Sequence, residues 1–307
     1  MKLQKISQEI YELKYQYKDP HGNPIDKDIH DTNKRVARTL ANIEHDPELW
    51  YDNFLWALEN GAICAGRITS NAGTSEFKSR TSTINCTMSG IIHDNLPDIF
   101  QKLKEAAITM QYGCGIGFDF SNLRSKTSWV NGVGATSSGP LSFMDAFDTM
   151  ALTISSSGSR RSAMMATFFV HHPDILDVIK AKQTKGRLRK FNISILLTDE
   201  FMYAVRNKEN YLLYFPVTKD ELDIFKYSSD QLIYKKWSVV EDNYIVDKMG
   251  MVLCKIYDRL PAEEIYNEIM KSTYTSAEPG CLFVDTINRY NNLYFSEYIT
   301  ATNPCGT

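Results

Sequence analysis

Six cysteines, Cys64, Cys86, Cys114, Cys254, Cys281 and Cys305, are the residues of this 307-residue sequence whose side chains could exchange electrons or hydrogen. No two of them form a Cys-x-x-Cys pair, and no Cys/His cluster has the spacing of a zinc site, so no metal ligands are assigned. Without a secretory signal the thiols are expected to be reduced. Cys64, Cys254 and Cys281 read as small buried apolar residues. His171-His172, ahead of Pro173-Asp174 at a helix start, read as structural. No Ser/His/Asp arrangement stands out by spacing.

Three glycine- and serine-rich segments could approach a ligand closely. Gly113-Cys114-Gly115-Ile116-Gly117 follows a helix, the wrong order for a dinucleotide fingerprint. It reads as a tight turn or as backbone that lets a ligand come near. Asn131 to Pro140 precedes a helix and offers unhindered N–H groups to a phosphate, or else is a surface connection. Ser155 to Ser162 carries Arg160 and Arg161, whose forked guanidinium groups suit phosphate; the alternative is a solvated basic turn. Three such loops together favour a nucleotide or sugar-phosphate ligand.

The elements that must position these residues follow from periodicity. To about Thr74 the chain reads as helical, with Val36, Leu40 and Ile43 at helical spacing and Asp46-Pro47 opening a further helix that stops at Asn60-Gly61. Helices are predicted over Ile99–Met110, Ser142–Ile154 and Asp174–Lys182, and one starting at Leu260. Buried strands are predicted at Ala166–Val170, Asn192–Leu197 and Cys281–Asp285. This alternation points to an α/β fold with mainly parallel strands, interrupted by a β-rich excursion near 207–257. The expected organisation is an N-terminal helical region, 1–75, and an α/β domain, 76–307. A net charge of −3 gives no pull toward nucleic acid. No apolar run approaches the roughly 20 residues of a membrane span, so a cytoplasmic location is expected.

Several strings, in order, resemble the catalytic subunit of ribonucleotide reductases. They are Thr83-Ile84-Asn85-Cys86-Thr87-Met88, Tyr112 to Arg124, Ser138 to Met144, Ser157 to Met164, His172 to Leu176, Asn192-Ile193-Ser194, Thr198 to Phe201, Glu278-Pro279-Gly280 and Thr302-Asn303-Pro304-Cys305-Gly306. Tyr15 to Asp26, Ala65 to Ile68 and Ala72-Gly73-Thr74 are most similar to the adenosylcobalamin-dependent class II enzymes. The resemblance implies the first half of a ten-stranded α/β barrel whose finger loop ends at Cys305. It implies that Cys305 becomes a thiyl radical and abstracts the ribose 3′ hydrogen, that Asn303 binds the ribose, and that Cys86 is one of two thiols reducing the 2′ position. Asn85, Cys114 and Gly115 would contact the ribonucleotide substrate. Asp94, Gly134, Ser138 and Gly139, with Ser157, Gly158, Arg160 and Arg161, would bind a dNTP or ATP effector. Adenosylcobalamin as cofactor, a thioredoxin- or glutaredoxin-type reductant and a homodimer are further implications.

The family carries a glutamate two residues after the radical cysteine, and Thr307 stands there. A threonine hydroxyl cannot act as that general acid/base near neutral pH. The partner thiol of Cys86 and the second barrel half would lie further on. The expectation is therefore an N-terminal half that needs a C-terminal partner, the alternatives being an inactive dNTP-binding fragment or a remnant.

Overall fold

The computed structural model describes residues 4–154 and 163–306. Four helices come first: α1 (Lys5–Lys14), α2 (Ile29–Ala41), α3 (Pro47–Glu59) and α4 (Gly66–Asn71). Helix α2 starts because Asp28 accepts a hydrogen bond from the Asp31 N–H, and α3 because Asp46 accepts one from Leu49 N–H ahead of Pro47. The stripe Thr32, Val36, Ala37 and Ala41 is the buried face of α2. Asp26 is buried beneath it and fully engaged, by Arg35 Nη2 at 2.8 Å and by the Thr32 hydroxyl at 2.6 Å. Arg35 also donates to the Thr69 carbonyl, which ties α4 to α2.

The chain then enters α/β structure: β1 (Cys86–Met88), α5 (Leu96–Gln111), β2 (Gly115–Asp119), the short hairpin β3 (Trp129–Val130) and β4 (Ala135–Thr136), α6 (Pro140–Thr153), β5 (Met164–Phe169), α7 (Ile175–Lys180), β6 (Phe191–Leu197) and α8 (Asp199–Asn207). An antiparallel excursion follows, built from β7 (Asn210–Pro216), α9 (Lys219–Phe225), β8 (Leu232–Lys235) and β9 (Val252–Pro261). The chain returns through α10 (Ala262–Ser276), β10 (Gly280–Phe283) and α11 (Val284–Arg289).

The main sheet is open, with order β1-β2-β5-β6-β10, and β2/β5, β5/β6 and β6/β10 are parallel. Strands β2 and β5 are buried at every position, as strands covered on both faces must be. Phe118, Phe120, Phe147 and Phe191 form the aromatic centre, Phe147 meeting Phe118 edge-on at 5.2 Å and Phe120 at 5.5 Å. The excursion has its own sheet, β7-β9-β8, around Tyr214, Phe215, Trp237, Tyr244, Val252 and Cys254. Among the described residues no helix is long and apolar enough to cross a membrane.

Three expectations shift. The helix expected from Leu260 starts at Ala262, because Leu260 and Pro261 still pair with Tyr211 and Asn210 at the end of β9. The strand expected at 281–285 ends at Phe283 and is only half-buried, since β10 is an edge strand of this sheet. Cys64 and Cys281 are half-buried, whereas Cys254 is fully buried.

The described residues divide into two compact units. The first holds 4–87, 108–115 and Ile154; the second holds 88–107, 116–153 and 163–306.

Candidate functional site

Within the second unit, the segment 299–306 carries Asn303 and Cys305 and is gripped along its length. Asn288 brackets Ile299, donating from Nδ2 to its carbonyl at 2.8 Å and accepting from its N–H at 2.7 Å. The Thr167 hydroxyl of β5 donates to the Thr300 carbonyl at 2.8 Å. Gly117 of β2 lies flat against the segment: a Cβ there would collide with the Thr302 carbonyl oxygen and stand 3.2 Å from Asn303 Cα. Asn192 of β6 reaches the Pro304 carbonyl at 3.4 Å. The tip is closed by Asn303, whose side-chain oxygen accepts from Cys305 N–H at 3.0 Å and whose carbonyl accepts from Gly306 N–H at 2.9 Å. Gly306 has φ +81°, a conformation that favours glycine. Ala301 and Thr302 are buried, and Cys305 is exposed at the turn. The arrangement presents one thiol on a loop whose backbone is held from three strands.

Under that loop lies Asp119, 7% exposed. Its Oδ1 accepts from Ser121 N–H at 2.8 Å, while Oδ2 has no hydrogen-bond partner among the described residues. Burial pushes its carboxyl up to about 6, against the opposing pull of Ser121 and Thr300.

In the first unit, Asn85 and Cys86 run beside Cys114 and Gly115. The Asn85 carbonyl accepts from Gly115 N–H at 3.0 Å, and Arg67 donates to the Gly113 carbonyl. Gly113, at φ +80°, ends α5 and lets the chain turn into β2, so the glycine-rich string is a helix-to-strand turn followed by a strand. Cys86 is half-buried and Cys114 buried.

A second candidate lies wholly in the second unit. Asp94 is clamped by Arg124, whose Nε donates to Oδ2 at 2.6 Å and whose backbone N–H donates to Oδ1 at 3.2 Å. Burial raises the Asp94 carboxyl above the ordinary range, with Arg124 opposing. The pair opens onto a cavity of about 110 Å³ lined also by Trp129, Asn131, Asp220 and Tyr244. The hairpin β3–β4 is tied to the excursion by Asn131 Nδ2, which donates to Asp220 at 2.7 Å. Gly134, Ser138 and Gly139 do not line this cavity; Gly134 is in the hairpin turn, and Gly139, at φ +79°, packs against Lys126 and Asp174. Ser157, Gly158, Arg160, Arg161 and Thr307 lie outside the described residues.

His171 and His172 are both buried. His172 is satisfied by the Leu123 carbonyl at 2.8 Å and the Asp174 N–H at 3.0 Å. His171 is stacked between Phe169 and Tyr214, at 4.9 and 4.5 Å. Burial depresses His172 to about 4; burial, with His172 and Lys235 adding to it, depresses His171 to about 3. Among the described residues no cluster of His, Cys, Asp or Glu could hold a metal ion.

Residues 1–76 match the family model described as ribonucleotide reductase, all-alpha domain, and residues 84–306 match the one described as ribonucleotide reductase, barrel domain. The chain belongs to the ribonucleotide reductase large-subunit family. It is 31% identical over 313 residues to the vitamin B12-dependent ribonucleoside-diphosphate reductase of Mycobacterium tuberculosis, covering 100% of this chain and 39% of that protein. The enzyme of that name from Thermoplasma acidophilum is 34% identical over 216 residues, 70% of this chain and 24% of its own. The ribonucleoside-diphosphate reductase subunit alpha of Helicobacter pylori is 26% identical over 297 residues, 95% of this chain and 35% of its own. The chain thus spans well under half the length of these relatives. Sequence reasoning missed the residues that frame the candidate sites: Gly117, Thr167 and Asn288 around the tip, and Arg124, Trp129, Asn131 and Tyr244 around Asp94. Gly117 and Arg124 fall in a string that was recognised as a whole, with no residue-level signal of which atom meets which. Asn131 begins the small-residue loop, but its partner Asp220 is 89 positions away.

Proposed function

We propose that this chain supplies the radical-bearing half of a ribonucleoside-diphosphate reductase and needs a C-terminal partner for turnover. The observation that supports it best is the seating of Asn303 and Cys305 on β2, β5 and β6 with the thiol exposed at the tip. In this reading Cys305, as a thiyl radical, takes the ribose 3′ hydrogen and later returns it. Asn303 orients the ribose. Cys86 and a second thiol from the partner half together give two electrons and become a disulfide, the 2′ hydroxyl leaving as water and C2′ gaining hydrogen. Asn85, Cys114 and Gly115 border the substrate. A thioredoxin- or glutaredoxin-type protein restores the dithiol.

The cofactor proposed is adenosylcobalamin, as the names of the Mycobacterium and Thermoplasma relatives suggest. Exposure of Cys305 fits a bulky cofactor reaching its Sγ. When bound, adenosylcobalamin supplies radical initiation, and the protein supplies orientation and shielding from water. Anaerobic incubation of the chain with a separately made C-terminal half, a ribonucleoside diphosphate, adenosylcobalamin and a dithiol is expected to yield the 2′-deoxy product. The chain alone should yield none. Cys305→Ser should abolish product; undiminished product from that variant would overturn the reading.

The cavity beside Asp94 and Arg124 favours a second activity of the chain by itself, effector binding, because its lining comes from one unit. A dNTP or ATP would place its sugar 3′ hydroxyl on Asp94. Asp94→Asn is expected to weaken dNTP binding by roughly tenfold, the loss of one charge-assisted hydrogen bond. Calorimetry that finds equal affinity for both forms, or no dNTP binding by the wild type, would sink this part.

A further inference from the structure

We propose that Asp119 is a positioning residue that sets how firmly the segment 299–306, and with it Asn303 and Cys305, is seated on β2. Its bearing on catalysis rests on the reading of Cys305 above; the seating itself does not.

The geometry is specific. Gly117 and Asp119 are two residues apart on β2, so their side-chain directions share one face. Gly117 meets Thr302 on that face, and Thr300 approaches Asp119. The segment is therefore the lid over the carboxyl. At this contact two polar atoms, Asp119 Oδ2 and Thr302 Oγ1, are buried without hydrogen-bond partners among the described residues. The other grips on the segment, from Asn288, Thr167 and Asn192, are neutral amides and a hydroxyl that do not titrate. Among the described residues, the groups that act on the Asp119 carboxyl are Ser121, next to β2, and Thr300, on the segment, and no charged side chain contributes to its shift. Just ahead of the segment, Tyr298 donates from its hydroxyl to Asp285 and has Lys236 over its ring.

A buried carboxyl with one unpaired oxygen prefers to be neutral, and a hydrated one prefers to be charged. Lifting the segment hydrates Asp119 and lets its proton go. Covered, the carboxyl titrates at about 6; hydrated, it returns toward the ordinary 3.8. Proton linkage then makes protonation favour the seated state. Opening becomes easier as pH rises toward about 6 and levels off above it, a change of about tenfold between about pH 5 and about pH 7.5.

The test is amide hydrogen exchange of the whole chain, with no substrate or cofactor, so a failure of the reductase reading leaves the outcome standing. The reporting amide is that of Ile299, which bonds to Asn288 outside the segment, whereas those of Cys305 and Gly306 close on Asn303 within it. After correction for intrinsic exchange, the opening constant of Ile299 in the wild type should rise about tenfold across that range. It should be flat in Asp119→Asn, which keeps the shape of the neutral carboxyl. A flat wild-type profile overturns the proposal without any variant. So does an unchanged slope in Asp119→Asn, or exchange of the Ile299 amide only in step with those of β6, which would mean the segment opens with the core and is not separately positioned.

Discussion

The hydrogen on Gly117 is what allows Thr302 to lie on β2. Its backbone is not in the left-handed region, so the requirement is space, not conformation. A methyl there meets a carbonyl oxygen, which is backbone and cannot rotate away as a side-chain end could. The segment must lift or β2 must shift within a fully buried strand. Overpacking of this kind costs about 1–3 kcal/mol, and misplacing a reacting group by about 1 Å can cost 100-fold in rate. Gly117→Ala is therefore expected to lower product formation in the two-half assay by about 100-fold while the thermal midpoint falls by only a few degrees. Wild-type turnover in that variant would show that the close approach is dispensable. Gly139 is constrained differently: its φ of +79° and its packing on Lys126 both restrict it at the entry to α6.

At the scale of elements, what the sequence made legible was what local chemistry decides. Asp46-Pro47 and Asn60-Gly61 bracket α3 because a cap, a proline and a glycine act on neighbouring residues. Ala166–Val170 and Asn192–Leu197 announce parallel strands because burial on both faces removes polar alternation. The misses have a different origin. The reach of β9 to Pro261 is set by pairing with β7, some 50 residues earlier, so nothing around Leu260 reveals it. The half-burial of β10 depends on its being at the sheet edge. The loop 131–140 contains both a hairpin turn and a helix entry, and only tertiary contacts, Asn131 to Asp220 and Trp129 edge-on to Phe225 at 5.9 Å, divide its residues between them. Composition marks a stretch as able to approach a ligand. Long-range packing decides which residues in it do, and so Asp94 was named while Arg124, its clamp, was not.

For the molecule as a whole, the buried histidines set how it meets acid. An imidazole whose folded pKa lies below its unfolded 6.5 stabilises the fold above 6.5, and that stability is lost as pH falls toward the folded value. His171 and His172, depressed to about 3 and about 4, both act in this direction. Asp119 acts in the other: its raised carboxyl stabilises the fold below about 4, and that stability is lost as pH rises through about 6. Between about pH 6 and about pH 4 the two rings outweigh the one carboxyl, and Asp94 and Asp174, both also raised, flatten the slope further. The contribution of one ring can be isolated at His171, where Phe169 and Tyr214 stack on both sides and Nδ1 is buried without a partner among the described residues. A phenyl ring keeps the stack and removes both the titration and the unpaired nitrogen. His171→Phe should thus be at least as stable as the wild type near neutrality. Its loss of stability on acidification should be shallower by about 1.4 kcal/mol per pH unit. Urea unfolding at a series of pH values gives both quantities; parallel curves for the two proteins would mean that His171 does not titrate on unfolding, and its burial would then have to be less complete than its stacking implies.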